Sequence, residues 1–86
     1  MIKLRTIIID DEQDCINLLK FELQHHCPQI EIVATFNSST KALHEIELLD
    51  PQLVFLDIEM PVMNGFELLE KLMPVNFNII FVTAYN

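Results

Sequence analysis

The sequence has little glycine, little positive charge and no tryptophan. Its 86 residues contain one glycine, Gly65, and five lysines and arginines against 13 aspartates and glutamates, which gives a net charge of −8. Direct binding to DNA or RNA is not expected, because such binding depends on cations that neutralise phosphates. A metal cation or a basic partner surface fits this charge better. At the single glycine, an unusual backbone conformation costs little, so Gly65 marks a special turn.

Cysteine and long apolar runs are also scarce. Cys15 and Cys27 fall in one predicted helix, about 18 Å apart at a rise of about 1.5 Å per residue, which is too far for a disulfide. No apolar run is long enough to span a membrane, and the first residues lack the pattern of a signal peptide. These features predict a protein of the reducing cytoplasm that does not enter the membrane.

Strand-like and helix-like segments alternate along the chain. Short runs rich in β-branched residues predict strands at 4–9, 30–36, 53–56 and 77–82. Apolar residues at helical spacing predict helices over 14–27, from the Ser38-Ser39 cap to Asp50-Pro51, and over 64–73. This β-α-β-α-β-α-β order predicts one α/β domain, a doubly wound parallel sheet with helices on both faces.

The spacing also predicts which side chains face the core. In the first helix the predicted buried stripe is Ile16, Leu19, Leu23 and Cys27, widened by Leu18 and Phe21. In the third helix it is Phe66, Leu69 and Leu72.

Three predicted strands end on polar side chains. Asp10 and Asp11 follow the first strand, Asp57 follows the third, and Thr83 follows the fourth. If these strands are neighbours, the side chains converge at one edge, and a divalent cation would relieve the repulsion between the acids. Carboxylate oxygens beside phosphate suit Mg²⁺. An acid beside Mg²⁺ and a hydroxyl could also act as a nucleophile in phosphoryl transfer.

The residues around Asp57 read DIEMPVMNG and fit the pattern D-x-x-M-P-x-x-x-G, with Pro61 and Gly65 at its fixed positions. Together with Asp10-Asp11 and Thr83-Ala84, this pattern resembles the receiver domain of two-component response regulators. The final residues, TAYN, resemble more closely the LytR/AlgR type, whose receivers precede a DNA-binding LytTR domain.

The resemblance implies a role for each matching residue. Asp57 would accept a phosphoryl group from the phosphohistidine of a sensor histidine kinase. Asp10 and Asp11 would hold Mg²⁺ with Asp57, and Glu59 would add its backbone carbonyl. Thr83 would contact a phosphoryl oxygen and report phosphorylation to the rest of the domain.

The resemblance also implies a flavodoxin-like (CheY-like) sheet of strand order 2-1-3-4 that is incomplete. A receiver normally continues through a fourth helix, a fifth strand that ends at a phosphate-binding lysine, and a fifth helix. We therefore expect residues 1–86 to be the N-terminal part of one receiver domain, truncated after the fourth strand and without its output domain.

This truncation predicts self-association. If about four apolar side chains such as Val54, Leu56, Ile79 and Phe81 lost their cover, the loss would be roughly 6–12 kcal/mol, which rivals the net stability of a domain. The fourth strand would also be an open edge. We expect a homodimer or larger assembly that buries this face.

Other functions stay open or are disfavoured by the residues. A receiver-like interaction module that is not phosphorylated is the main alternative. A phosphatase of the haloacid dehalogenase type requires D-x-D after the first strand, whereas Asp10 is followed by Asp11 and Glu12. A zinc site at His25, His26 and Cys27 is disfavoured, because consecutive helical residues point about 100° apart.

Overall fold

The computed structural model describes residues 2–82, and the elements follow the predicted order. The strands are β1 (Leu4–Ile9), β2 (Ile30–Phe36), β3 (Leu53–Asp57) and β4 (Asn78–Val82). The helices are α1 (Gln13–His26), α2 (Ser39–Leu49) and α3 (Gly65–Leu72). Each predicted boundary lies within two residues of the observed one. The Ser38 hydroxyl caps α2 by accepting from the Lys41 amide at 3.4 Å, as the Ser38-Ser39 pair predicted.

The four strands form one parallel sheet in the order β2-β1-β3-β4, which confirms the predicted α/β fold and strand order. Ile9 at the end of β1 lies between Phe36 of β2 and Leu56 of β3. Asp57 lies opposite Val82 of β4. The carboxyl ends of the strands therefore share one edge of the sheet, which is where open α/β sheets place their ligand sites.

Helices cover both faces of the sheet and create two apolar cores. On one face, Ile8 and Phe55 pack with Ile16 and Leu23 of α1. On the other face, α2 and α3 cover a larger core. This core includes Ile7, Ile9, Val54 and Leu56 of the sheet with Ile46, Leu68 and Leu72 of the helices. The two-faced burial explains why β1 and β3 are almost continuously apolar.

The predicted helix faces were wrong at three positions. Leu18 and Phe21 of α1 are more than half exposed, and so is Phe66 of α3, whereas Leu68 is fully buried. In a short helix with many apolar residues, more than one set of side chains has the spacing of a buried face. In α3 the packing on the sheet buries Leu68 and Leu72, which are four residues apart. Phe66 instead lies beside Phe81 of β4, with 5.3 Å between ring centroids.

The prediction that Val54 and Leu56 lack cover was also wrong, because α2 and α3 bury this face of β3. The exposed apolar residues of the sheet are Leu4 at the start of β1 and, in β4, Ile80, which is 45% exposed, and Phe81, which is 43% exposed. None of the three helices between residues 2 and 82 combines the length and hydrophobicity needed to cross a membrane.

Candidate functional site

Three carboxylates meet at the carboxyl edge of the sheet. Asp10 and Asp11 directly follow β1, and Asp57 is the last residue of β3, the strand paired with β1. One oxygen from each of the three side chains lies within 4.8 Å of the other two. Asp10 and Asp57 are buried, the latter 9% exposed, and Asp11 is exposed to solvent. This arrangement forms an acidic cluster, which we define as Asp10, Asp11 and Asp57.

Backbone amides fix the two buried carboxylates. The Glu12 amide donates to Asp10 Oδ1 at 2.9 Å, and the Glu59 amide donates to Asp57 Oδ1 at 3.2 Å. In each case an aspartate accepts from the amide two residues later, which is the local turn that aspartate favours at the end of a strand. Both side chains are therefore held in place with part of their hydrogen-bonding capacity free.

The buried position of Asp57 makes its negative charge costly. Its pKa is raised from 3.8 to about 7, first by removal of the carboxylate from water and next by the charge of Asp10. A hydrogen bond with Asp11 adds to the increase, and the Glu59 amide opposes it. The pKa is thus set by burial and by crowding with like charges, two causes that favour the protonated acid.

The acidic cluster fits a divalent cation with oxygen ligands. A cation between the three carboxylates would offset both the repulsion and the loss of hydration that raise the Asp57 pKa. Carboxylate oxygens are the ligands that Mg²⁺ prefers, and the exposure of Asp11 leaves room for the waters that Mg²⁺ retains.

The loop from β3 to α3 is built around a close backbone contact at Gly65. A Cβ atom at this position would lie 2.6 Å from the carbonyl oxygen of Asp57 and 3.1 Å from the Cα of Ile58. The Gly65 amide also donates to the Ile58 carbonyl at 2.8 Å. Position 65 therefore requires glycine, because the Cβ of any other residue would clash with the backbone of Asp57 and Ile58. The expected unusual backbone conformation is found elsewhere, at Asp50 (φ 49°) and Val62 (φ 71°).

Two polar side chains fix the start of α3 directly after this loop. Asn64 Oδ1 accepts from the Glu67 amide at 2.9 Å, and the Glu67 carboxylate accepts from the Asn64 amide at 3.0 Å. This reciprocal capping box satisfies two amides at the helix start. Together with the contact at Gly65, it anchors α3 against the strand that carries Asp57.

Two further residues, Glu59 and Thr83, were predicted to belong to the site. Glu59 lies two residues after Asp57 with its side chain exposed, so its backbone is the part that is close to the cluster. Thr83 lies outside the described residues. At the far end of α1, the His25 ring stacks on Phe21 at 4.0 Å, and His26 lies 3.5 Å from Glu22.

Sequence reasoning missed one neighbour of the acidic cluster, Cys15. Its pKa is raised by partial burial, then by the charges of Asp10 and Glu12 and by a weak contact of 3.8 Å between Cys15 Sγ and a Glu12 carboxylate oxygen. Cys15 lies in the first turn of α1, which begins just after Asp10 and Asp11, so its place near the cluster could have been predicted from the start of that helix.

Comparison with known proteins agrees with this fold. The family model described as "Response regulator receiver domain" matches residues 6–86. An uncharacterized response regulatory protein of Yersinia pestis is 45% identical over 84 residues, which cover 96% of this chain and 35% of that protein. A protein-glutamate methylesterase/protein-glutamine glutaminase of Bacillus subtilis is 35% identical over 82 residues, which cover 94% of this chain and 23% of that protein.

Among solved structures, the response regulator domain of Thermotoga maritima CheB superposes with a TM-score of 0.82 at 27% identity. The superposition covers 94% of this chain and 60% of that one. The chain spans about a third of the length of the Yersinia pestis protein and less than a quarter of the Bacillus subtilis protein.

Proposed function

The chain belongs to the response regulator receiver family, and on that premise we propose that it is a phosphoacceptor in two-component signalling. In this proposal, an Asp57 carboxylate oxygen attacks the phosphorus of a phosphohistidine on a sensor histidine kinase. The new O–P bond gives an acyl phosphate, and the P–N bond breaks to release the imidazole. The observation that carries this proposal is the acidic cluster, in which Asp57 is held at the sheet edge beside Asp10 and Asp11.

The proposal assigns a Mg²⁺ ion to the acidic cluster. Asp10, Asp11 and Asp57 would hold it with the backbone carbonyl of Glu59. When bound, the ion would neutralise charge on the phosphoryl oxygens during transfer. The set of closely spaced carboxylate oxygens supports this assignment.

In this scheme Glu59 and Thr83 also have roles, and the pKa of Asp57 decides how much of the carboxylate is able to attack. The Glu59 amide holds Asp57 Oδ1 and so orients the carboxylate toward the incoming phosphorus. The pKa of Asp57 near 7 means that part of the population is protonated at neutral pH without a cation, and only the ionised form can attack. Thr83, by the same proposal, bonds a phosphoryl oxygen in the product.

Together with this role we propose a domain organisation, a cellular location and an output function. Residues 1–86 would form the N-terminal part of a cytoplasmic receiver domain that controls a DNA-binding output domain of the LytTR type, and thereby transcription. The domain would act as a phosphoacceptor and not as an enzyme on a separate substrate. The Bacillus subtilis relative is named as a methylesterase. An enzymatic output domain is therefore the alternative to a DNA-binding one for the whole protein.

Phosphorylation by acetyl phosphate tests the proposed function. We expect the wild-type chain to acquire a base-labile, hydroxylamine-sensitive phosphoryl group with Mg²⁺ and not with EDTA. Asp57→Asn should abolish labelling, while Glu70→Gln, an exposed acid of α3, should leave it intact. Labelling that is equal in Asp57→Asn, or that does not need the cation, would contradict the assignment.

A second function, self-association as an interaction module that is not phosphorylated, is supported by the surface of β4. Phe81 and the adjacent Phe66 of α3 are about half exposed on one face of the sheet, and Ile80 is exposed to a similar degree on the opposite face. Within residues 2–82, β4 pairs with a neighbour on one side only, so its other edge is available for pairing. We propose that the free edge of β4, with Phe81 and Phe66 beside it, forms a homodimer.

Light scattering at micromolar concentration tests this second function. We expect a dimer for the wild type, and a shift toward monomer in Phe81→Ser with circular dichroism preserved. Leu48→Ser, which removes an exposed leucine from α2, should remain dimeric. A folded wild-type monomer would refute self-association.

A further inference from the structure

A cavity of ≈ 430 Å³ opens at the end of the sheet opposite the acidic cluster. It lies where α2 and α3 end, with Pro51 before β3 and Phe77 before β4 in its wall. Asp57 is at the other end of β3, about 17 Å away for five residues of extended chain. The cavity is therefore separate from the proposed phosphoacceptor site.

The cavity has an apolar floor. Ile46 of α2, Pro51 and Leu72 of α3 are buried, and Val75 and Phe77 are half-buried in its wall. Its volume falls in the range of about 300–1,000 Å³ that is typical of small-molecule sites. A small apolar body can therefore lie against this floor with part of its surface removed from water.

The rim of the cavity is negative. The exposed carboxylates of Glu47 and Asp50 lie on it, and the carboxyl ends of both α2 and α3 point to this region. Helix carboxyl ends carry negative partial charge, which favours a nearby cation. Among residues 2–82, those that line the cavity include no lysine, arginine or histidine. Arg5 donates to the Leu49 carbonyl at the end of α2, and Lys71 lies in the last turn of α3, so the charge of the two helix ends is partly compensated. Glu47 and Asp50 are the negative groups that remain for a ligand at the rim.

We propose that this cavity binds a small organic cation, an ammonium group attached to a compact hydrocarbon body. The hydrocarbon would occupy the floor formed by Ile46, Leu72 and Phe77. The ammonium would stay at the rim, partly hydrated, beside Glu47 and Asp50. An anion is disfavoured by the two carboxylates of the rim, and a bare metal ion is disfavoured by the apolar floor.

Titration with benzylammonium, followed by the backbone amide resonances of Val75, Asn76 and Phe77, tests the proposal. We expect saturable shifts at these residues, and weaker binding of benzyl alcohol, which has the same ring without the charge. The double variant Glu47→Gln/Asp50→Asn should weaken benzylammonium binding about tenfold, the effect expected for two partly exposed charges. Asparagine suits the left-handed backbone of Asp50, so the variant should keep the fold.

Two control variants and a change of salt concentration make the result specific. Glu45→Gln removes an exposed acid of α2 that is not in the lining and should leave affinity unchanged. Asp57→Asn should also leave it unchanged, so a failure of the proposed phosphoacceptor function would not affect this test. Raising the salt concentration should weaken wild-type binding, which checks the charge without any variant. Equal affinity for benzyl alcohol, an unaffected double variant, or no shift at about 10 mM ligand would overturn the proposal.

Discussion

Replacing Asp57 by asparagine should stabilise the cation-free chain at pH 8. The carboxylate is nearly buried beside Asp10 and Asp11, and its pKa is about 7 in place of 3.8. At about 1.36 kcal/mol per pKa unit, this difference corresponds to roughly 4 kcal/mol as an upper limit. Asparagine removes the charge and keeps an oxygen for the Glu59 amide, so we expect a gain of about 2–4 kcal/mol in the free energy of unfolding.

The sign of the pH dependence follows from proton binding. Between pH 4 and 7 the folded chain retains a proton on Asp57 that the unfolded chain has released. The free energy of unfolding of the wild type therefore falls as pH rises through this window and is lowest above pH 7. The gain from Asp57→Asn should be largest at pH 8 and small at pH 4, where the folded wild-type side chain is neutral and the unfolded one is still about half protonated.

Urea unfolding in EDTA at pH 8, 6 and 4 measures this effect. Glu70→Gln, which removes an exposed acid of α3, should change stability by less than about 0.5 kcal/mol at each pH. Saturating Mg²⁺ should raise wild-type stability at pH 8 and should have much less effect on Asp57→Asn. A gain of the same size at pH 8 and pH 4, or a loss at pH 8, would refute the electrostatic reasoning.

Two other predictions concern the surroundings of the acidic cluster. Gly65→Ala should lower the free energy of unfolding by about 1–3 kcal/mol in urea titrations, because its Cβ would lie 2.6 Å from the Asp57 carbonyl oxygen; an unchanged midpoint would contradict this close approach. Mg²⁺ should speed the alkylation of Cys15 by iodoacetamide, because the cation offsets the charges that raise the pKa of the thiol. Cys27 serves as the internal reference, and equal acceleration of both thiols would count against the effect.

The parts of the site that the sequence could predict are those set by topology. The order of strands and helices implied a parallel sheet, and parallel strands bring their carboxyl ends to one edge. The sequence alone therefore predicts that Asp10, Asp11 and Asp57 lie close together. The paired position of β1 and β3 is what makes that expectation correct.

The parts that the sequence could not predict depend on packing. Phe66 and Leu68 are both apolar and two residues apart, and only the docking of α3 on the sheet decides that Leu68 is buried. The need for glycine at position 65 arises from a contact with the Asp57 backbone and not from its own dihedral angles. The pKa of Asp57 likewise depends on burial, which residue spacing does not report.

The most direct test of the central claim is to locate the phosphoryl group within the chain. After reaction with acetyl phosphate and Mg²⁺, borohydride reduction converts an aspartyl phosphate to homoserine, and peptide mass spectrometry then identifies the modified position. We predict homoserine at position 57 alone, within the peptide that contains Phe55 and Leu56. Modification at Asp10 or Asp11, or no modified aspartate in a chain shown to be folded, would contradict the account.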